Sequence, residues 1–199
     1  MKRSATPVIE SKELLSDNYY HLYRYTCTIH SASGDSNRIT REVYDRGNGA
    51  AILLYNIERN SVFLIRQFRL PVFVNQHPTG MLLEACAGLF NAGEADPLSC
   101  IRRETMEETG FDIPVFTKLF EAYMSPGSVT EKLYFFAAAC TDSMRTGTGG
   151  GLAEEEESIE LIELPFSEAL AKIHSGEIED AKTIMLLQYA QLNQLLKTE

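Results

Sequence analysis

Between residues 97 and 109 the apolar and acidic positions follow a helical period. Leu98, Ile101, Thr105 and Thr109 fall on one stripe, Glu104 and Glu108 stack one turn apart beside it, and Glu107 lies next to them. Asp96 suits the N-cap, Pro97 the first helical position and Gly110 a left-handed stop, so a helix is predicted from Pro97 to Thr109. Elsewhere the pattern is that of strands. Residues 19–29 and 38–45, separated by turn chemistry at 31–37, predict an N-terminal antiparallel hairpin, and the runs 50–55 and 61–65 around the polar turn 56–60 predict a second. Residues 116–121, 133–139 and 159–164 read as further strands. Ser167 is placed to cap a short helix ending near Gly176 and Asp180 to cap the last one, where Ile184, Leu187, Ala190, Gln191 and Leu195 partly outline a buried stripe. The polar segment 141–151, with Gly147, Gly149, Gly150 and Gly151, is expected to be a mobile loop; the four acids 154–157 follow it.

A chain of 199 residues with 44% hydrophobic content can form one substantial core, with or without a small N-terminal subdomain. The formal charge of −10 argues against a broad polyanion-binding surface, so nucleic acid is not an expected partner. No stretch is apolar for long enough to span a bilayer and the first residues lack a continuous apolar run, so the expected location is cytoplasmic, with no membrane partner. Cys27, Cys86, Cys100 and Cys140 are far apart and form no CxxC, and the four histidines form no HExxH, so buried free thiols are expected rather than a zinc site.

The acids on the predicted helix carry the chemistry. Three carboxylates on one turn repel each other, and a hard divalent cation such as Mg²⁺, with Mn²⁺ as a substitute, removes that objection. Such an ion completes its shell with water and with substrate phosphate oxygens. A solvated helix face with an Arg103–Glu107 pair would be the ordinary account of an isolated ExxEE. The preceding Gly88 turn, Glu94 and the Arg103–Glu104 doublet favour the metal site.

These residues resemble the Nudix box, G-x5-E-x7-R-E-U-x-E-E-x-G-U with U apolar, through Gly88, Glu94, Arg103, Glu104, Glu107, Glu108, Gly110 and Phe111. Two positions depart from it: eight residues rather than seven separate Glu94 from Arg103, and Thr105 takes an apolar place. The resemblance implies an α+β protein with the Nudix fold, an α/β/α sandwich around a mixed sheet, over residues 48–199, with an N-terminal antiparallel β subdomain over 1–47 that serves dimerisation. It also implies metal binding by Glu104, Glu108 and the Ala87 carbonyl, with Arg103 orienting the glutamates.

Flanking segments look like the branch of Nudix enzymes that cleaves ADP- and GDP-sugars: QFR at 67–69, EACAG at 84–88 and SPG at 125–127. REVYDRGNGA at 41–50, LIRQFR at 64–69, YMSPG at 123–127, ELPF at 163–166 and SGEIEDAKT at 175–183 are similar to the GDP-mannose pyrophosphatases of that branch, and with LLSDNYY at 14–20 they cover nearly the whole chain. The resemblance implies Mg²⁺-dependent hydrolysis of GDP-mannose to GMP and mannose 1-phosphate by a homodimer whose N-terminal strands reach the partner's site. Tyr19, Thr40, Arg41 and Glu42 would contact substrate across that dimer. Arg69, Ala87, Gly88, Leu89, Glu131, Glu156 and Lys182 would line the pocket, and Glu157, also a metal ligand, would act as base beside Glu104 and Glu108. Glu84 matches a strand glutamate of the branch, and Cys86 replaces a frequent proline. An ADP-ribose pyrophosphatase shares the box, and a non-catalytic module that binds a nucleotide sugar is the alternative of another class.

Overall fold

A computed structural model of the chain describes residues 6–31, 34–151 and 158–198. It falls into two compact units, Met1–Asn48 with Tyr123–Lys132, and Gly49–Ala122 with Leu133–Glu199. No helix among the described residues is long and apolar enough to cross a membrane.

The first unit is built on an antiparallel sheet of β1 (Val8–Asp17), β2 (His21–His30) and β3 (Ser36–Asp45), in that order. The sequence pattern predicts β2 and β3 as a hairpin; β1, whose polar residues outnumber its apolar ones, is added in front of them. The β2–β3 ladder runs unbroken from His21 opposite Asp45 to His30 opposite Ser36, whereas β1 is irregular at Ile9–Ser11 and Leu14–Ser16. Residues 123–132 join this unit through Tyr44, whose amide donates to the Ser128 carbonyl and whose carbonyl accepts from Thr130. Among the described residues of this unit Thr26 alone is buried, while Val8, Ile9, Leu14 and Ile29 are exposed.

The second unit holds the core. Its sheet runs β10 (Glu160–Pro165), β5 (Ser61–Phe68), β4 (Gly49–Asn56), β9 (Lys132–Ala139), β8 (Thr117–Tyr123), with β6 (Met81–Glu84) beside β5 and β7 (Ala87–Leu89) beside β4. The β4–β9 pair is parallel and the β4–β5 and β5–β10 pairs are antiparallel, so the sheet is mixed. Residues 50–54 are wholly buried because both faces of β4 are covered, which explains an apolar run instead of an alternation. On one face Ala50, Ile52, Leu54, Phe63 and Phe136 pack with Cys100 and Ile101 of α2 (Pro97–Glu104) and with Phe111. The other face is covered by α4 (Ala181–Leu192), which contacts β4, and α3 (Phe166–Ser175), which contacts α4, β5 and β10. This is the expected α/β/α sandwich around a mixed sheet. A short helix, α1 (Leu70–Val74), follows β5.

Two helix details differ from expectation. Ser167 makes no cap; α3 starts after Pro165, and only its stop at Gly176, φ 80°, is as predicted. In α4 the buried positions are Lys182, Thr183, Leu186, Leu187 and Ala190, while Gln191 is exposed, because the helix turns its first residues toward the sheet as well as its apolar ones.

Candidate active site

The acidic helix begins as its sequence dictates. Asp96 accepts from the amides of Leu98 and Ser99 at 3.2 and 3.1 Å, and Pro97 opens the helix. After Glu104 the coil widens into a π turn over Thr105–Thr109 before Gly110 stops it at φ 76°. Ile101, Thr105 and Thr109 are buried as the stripe requires, whereas Leu98 is 38% exposed. Thr105 fills an apolar place without leaving a polar atom stranded, since its hydroxyl donates to the Ile101 carbonyl at 2.6 Å.

The turn between β6 and β7 brings the backbone to these acids. Glu108, 2% exposed, accepts the Ala87 amide on Oε2 at 3.2 Å. Glu104 lies against Gly88, where a Cβ would sit 1.8 Å from Oε1, so only glycine permits this approach. Arg103 binds the ring of acids together, reaching Glu104 and Glu107 at 2.9 Å, Glu94 at 3.5 Å and the Leu89 carbonyl at 3.0 Å. Burial draws the Arg103 guanidinium down, but the charge of Glu104 and the contact with Glu107 outweigh it and the net shift is upward. Burial and the Glu108 charge push the Cys86 thiol well above its ordinary value, so this cysteine is a packing residue and not a nucleophile.

Arg69, Glu84 and Lys182 gather beside the box. Glu84, 1% exposed, takes Arg69 Nε on Oε1 at 2.8 Å and Nη2 on Oε2 at 3.1 Å, and Oε2 also receives Lys182 Nζ. Lys182 pairs with Asp180 at 3.0 Å as well, so it is a buried member of a network rather than a surface lysine of the first helical turn. Burial depresses the Arg69 guanidinium, but Glu84, Glu108 and Asp180 more than compensate.

The loop 141–151 is held rather than loose. The amides of Gly150 and Gly151 donate to the carbonyls of Glu108 and Glu107, and those of Thr146 and Gly147 donate to Gly110. These glycines therefore satisfy carbonyls that the end of the box helix leaves open. Gly149, Gly150 and Gly151 all have positive φ, which is the signal that a docked loop was encoded there.

The structure thus brings Arg69, Ala87, Gly88, Leu89, Glu104, Glu108 and Lys182 together within the second unit. Tyr19, Thr40, Arg41 and Glu42 are exposed residues of the first unit, where Glu42 meets Arg24 at 3.5 Å, and Glu131, in the same unit, meets Arg46 at 3.5 Å. Glu156 and Glu157 lie outside the described residues. Asp180 caps α4 as expected, accepting the Thr183 amide at 2.9 Å; sequence reasoning misses its pairing with Lys182 and the role of Thr183, whose hydroxyl accepts the Ala85 amide at 2.7 Å.

Among the described residues no group of three or more His, Cys, Asp or Glu side chains converges as a metal cluster. The donor set is nonetheless one that a hard cation takes: two carboxylates and a peptide segment, with Glu104 filling the cradle that a Cβ on Gly88 would occupy.

The NUDIX domain model matches residues 45–187. The chain belongs to the Nudix hydrolase family. A second model, the GDP-mannose pyrophosphatase NudK N-terminal domain, matches residues 8–44. This Nudix chain is 55% identical over 185 residues to a GDP-mannose pyrophosphatase of Yersinia enterocolitica, covering 93% of itself and 95% of the relative. It is 53% identical over 182 residues to the GDP-mannose pyrophosphatase of Pectobacterium atrosepticum, covering 92% of each, and 54% identical over 181 residues to that of Yersinia pestis, covering 91% and 89%.

Proposed function

We propose that this Nudix hydrolase cleaves the diphosphate of GDP-mannose, releasing GMP and mannose 1-phosphate. The observation that carries the reading is the convergence of Glu104, Glu108 and the Ala87–Gly88 backbone beside Arg69 and Lys182: an oxygen-donor set next to two cations, suited to a diphosphate. The names of the full-length relatives select the nucleotide sugar.

Glu104, Glu108 and the Ala87 carbonyl would hold Mg²⁺, or Mn²⁺ in its place, with Glu157 as a further ligand. A divalent ion supplies charge neutralisation for the diphosphate and makes a nearby water more acidic. Arg69 and Lys182 bind the phosphate oxygens, and Gly88 and Leu89 leave the backbone accessible to them. Glu157 accepts the proton of the attacking water as its oxygen bonds to one phosphorus. The bridging bond to that phosphorus breaks, and the bridging oxygen leaves with the other phosphate.

The working form in this reading is a homodimer. A sheet whose described residues bury Thr26 alone has no core of its own, and a second copy would cover its exposed Val8, Ile9, Leu14 and Ile29. In that dimer Tyr19, Thr40, Arg41 and Glu42 serve the partner's substrate.

The test is product analysis after incubation with Mg²⁺ and equal amounts of GDP-mannose and ADP-ribose. GMP is expected to appear faster than AMP; the reverse order moves the assignment to ADP-ribose, and cleavage of neither despite metal binding makes the chain a binding module. Glu108→Gln is expected to fold and to lose turnover by at least about 100-fold, since a ligand matters no less than the residues that orient ligands. Near-native activity of that variant would remove Glu108 from the metal site.

A further inference from the structure

Glu84 stands where three distant segments meet. Arg69 follows the last residue of β5, its backbone amide fixed on the Gly80 carbonyl at 2.8 Å; Glu84 ends β6; Lys182 lies in the first turn of α4. Both carboxylate oxygens are used, Oε1 by Arg69 Nε and Oε2 by Arg69 Nη2 and Lys182 Nζ. The guanidinium is therefore gripped along one edge in a two-point contact that fixes its plane. Its Nη1 has no hydrogen-bond partner among the described residues, and the Arg69 side chain remains 35% exposed, against 2% for Glu84 and 11% for Lys182. Asp180, at 3.0 Å from Lys182, brings the group to two cations and two anions.

A carboxylate placed behind two cations has opposite effects on an incoming anion. Its charge opposes the anion, whereas its hydrogen bonds hold the cations in one geometry and keep two flexible side chains from being ordered at the moment of binding. If Glu84 only closed α4 onto the sheet, or acted only through charge, its neutralisation would leave anion affinity unchanged or raise it. The two-point grip and the 35% exposure of the Arg69 side chain favour the second effect.

We propose that Glu84 is a positioning residue for catalysis, holding the Arg69 guanidinium and the Lys182 ammonium side by side so that together they receive the two phosphates of the substrate. This rests on the diphosphate reading of the site. It makes Glu84, whose two oxygens are both taken by these cations, a determinant of diphosphate over monophosphate binding, because a diphosphate brings more charge and more acceptor oxygens to the held pair than a monophosphate does.

The experiment measures affinity for inorganic pyrophosphate and for GMP by calorimetry with Mg²⁺, and KM and kcat for GDP-mannose, in the full chain and in Glu84→Gln, Glu84→Asp, Arg69→Ala/Lys182→Ala and the triple variant with Glu84→Gln. Glu84→Gln is expected to weaken pyrophosphate binding and raise KM about tenfold, the scale of one charge-assisted contact, although it removes a negative charge from the site. GMP affinity should change by much less. In the Arg69→Ala/Lys182→Ala background the same substitution should have no further effect on pyrophosphate, since residues that act as a unit are not additive. Unchanged or tighter pyrophosphate binding in Glu84→Gln, or an undiminished effect once both cations are gone, overturns the proposal. Should Glu84→Gln fail to fold, Glu84→Asp, which keeps the charge one methylene short of its partners, decides by the same readouts. A wild-type chain that binds no pyrophosphate and cleaves no nucleotide sugar refutes the functional reading itself; a wild-type chain that does both, with indifferent Glu84 variants, refutes only the positioning role.

Discussion

At the scale of single residues, the tightest constraint is at Gly88. A methyl group there would lie 1.8 Å from Glu104 Oε1, so Gly88→Ala must displace that carboxylate. We expect Mn²⁺ affinity, followed by paramagnetic resonance, to fall about 10- to 100-fold with the fold retained, the range seen when metal ligands lose their support. Retained affinity would show that Glu104 does not serve the metal. Glu84 yields a different test. Burial raises its pKa, but Lys182 and Arg69 together bring it below the ordinary glutamate value of 4.5. Because the folded value is depressed, the carboxylate's contribution to stability is complete above 4.5 and is lost as pH falls from there through the folded value. A carbon-detected NMR titration should place the Glu84 midpoint below 4.5, and a midpoint above it would mean that the cations do not offset burial. The box acids and Gly88 were legible in the sequence because their spacing along one helix and its preceding turn is itself the chemical pattern. The pairing of Glu84 with Lys182 was not, since the two lie 98 residues apart and nothing local marks the pair.

At the scale of elements, the β4–β5 hairpin, the Asp96 cap of α2 and the stop at Gly110 could be read directly from apolar runs and turn residues. The π turn could not: it arises where Thr105 and Thr109 bond back to carbonyls four residues earlier, and an ideal helix was the natural expectation. The docking of the glycine loop is hidden from sequence for a related reason. Glycine signals both looseness and positive φ, and here the second applies, with Gly149 at φ 67° and a Cβ position only 2.6 Å from the Glu108 carbonyl. Gly149→Ala is expected to cost about 1–2 kcal/mol from left-handed strain alone, more with that overlap, measured by urea unfolding. Wild-type stability would mean that the loop is not docked on the box helix.

At the scale of the whole molecule, burial is divided very unequally between the two units. The apolar core lies in the second, while the described residues of the first bury Thr26 and nothing else. Sedimentation should therefore find a mass twice the 22.3 kDa of the chain, and a monomer at micromolar concentration would contradict the dimer. The order of strands in the second unit carries one more implication. Ala85 and Glu84 take their partners Thr183 and Lys182 from 98 residues downstream. During synthesis β4, β5, β6 and the acidic helix all leave the ribosome before α4 exists, so the nascent sheet carries a carboxylate meant for burial with one of its two cations still unmade. Docking of α4 is then the step that both shields Glu84 and assembles the cation pair, and a growing chain cannot complete the Arg69–Glu84–Lys182 cluster until that helix has emerged.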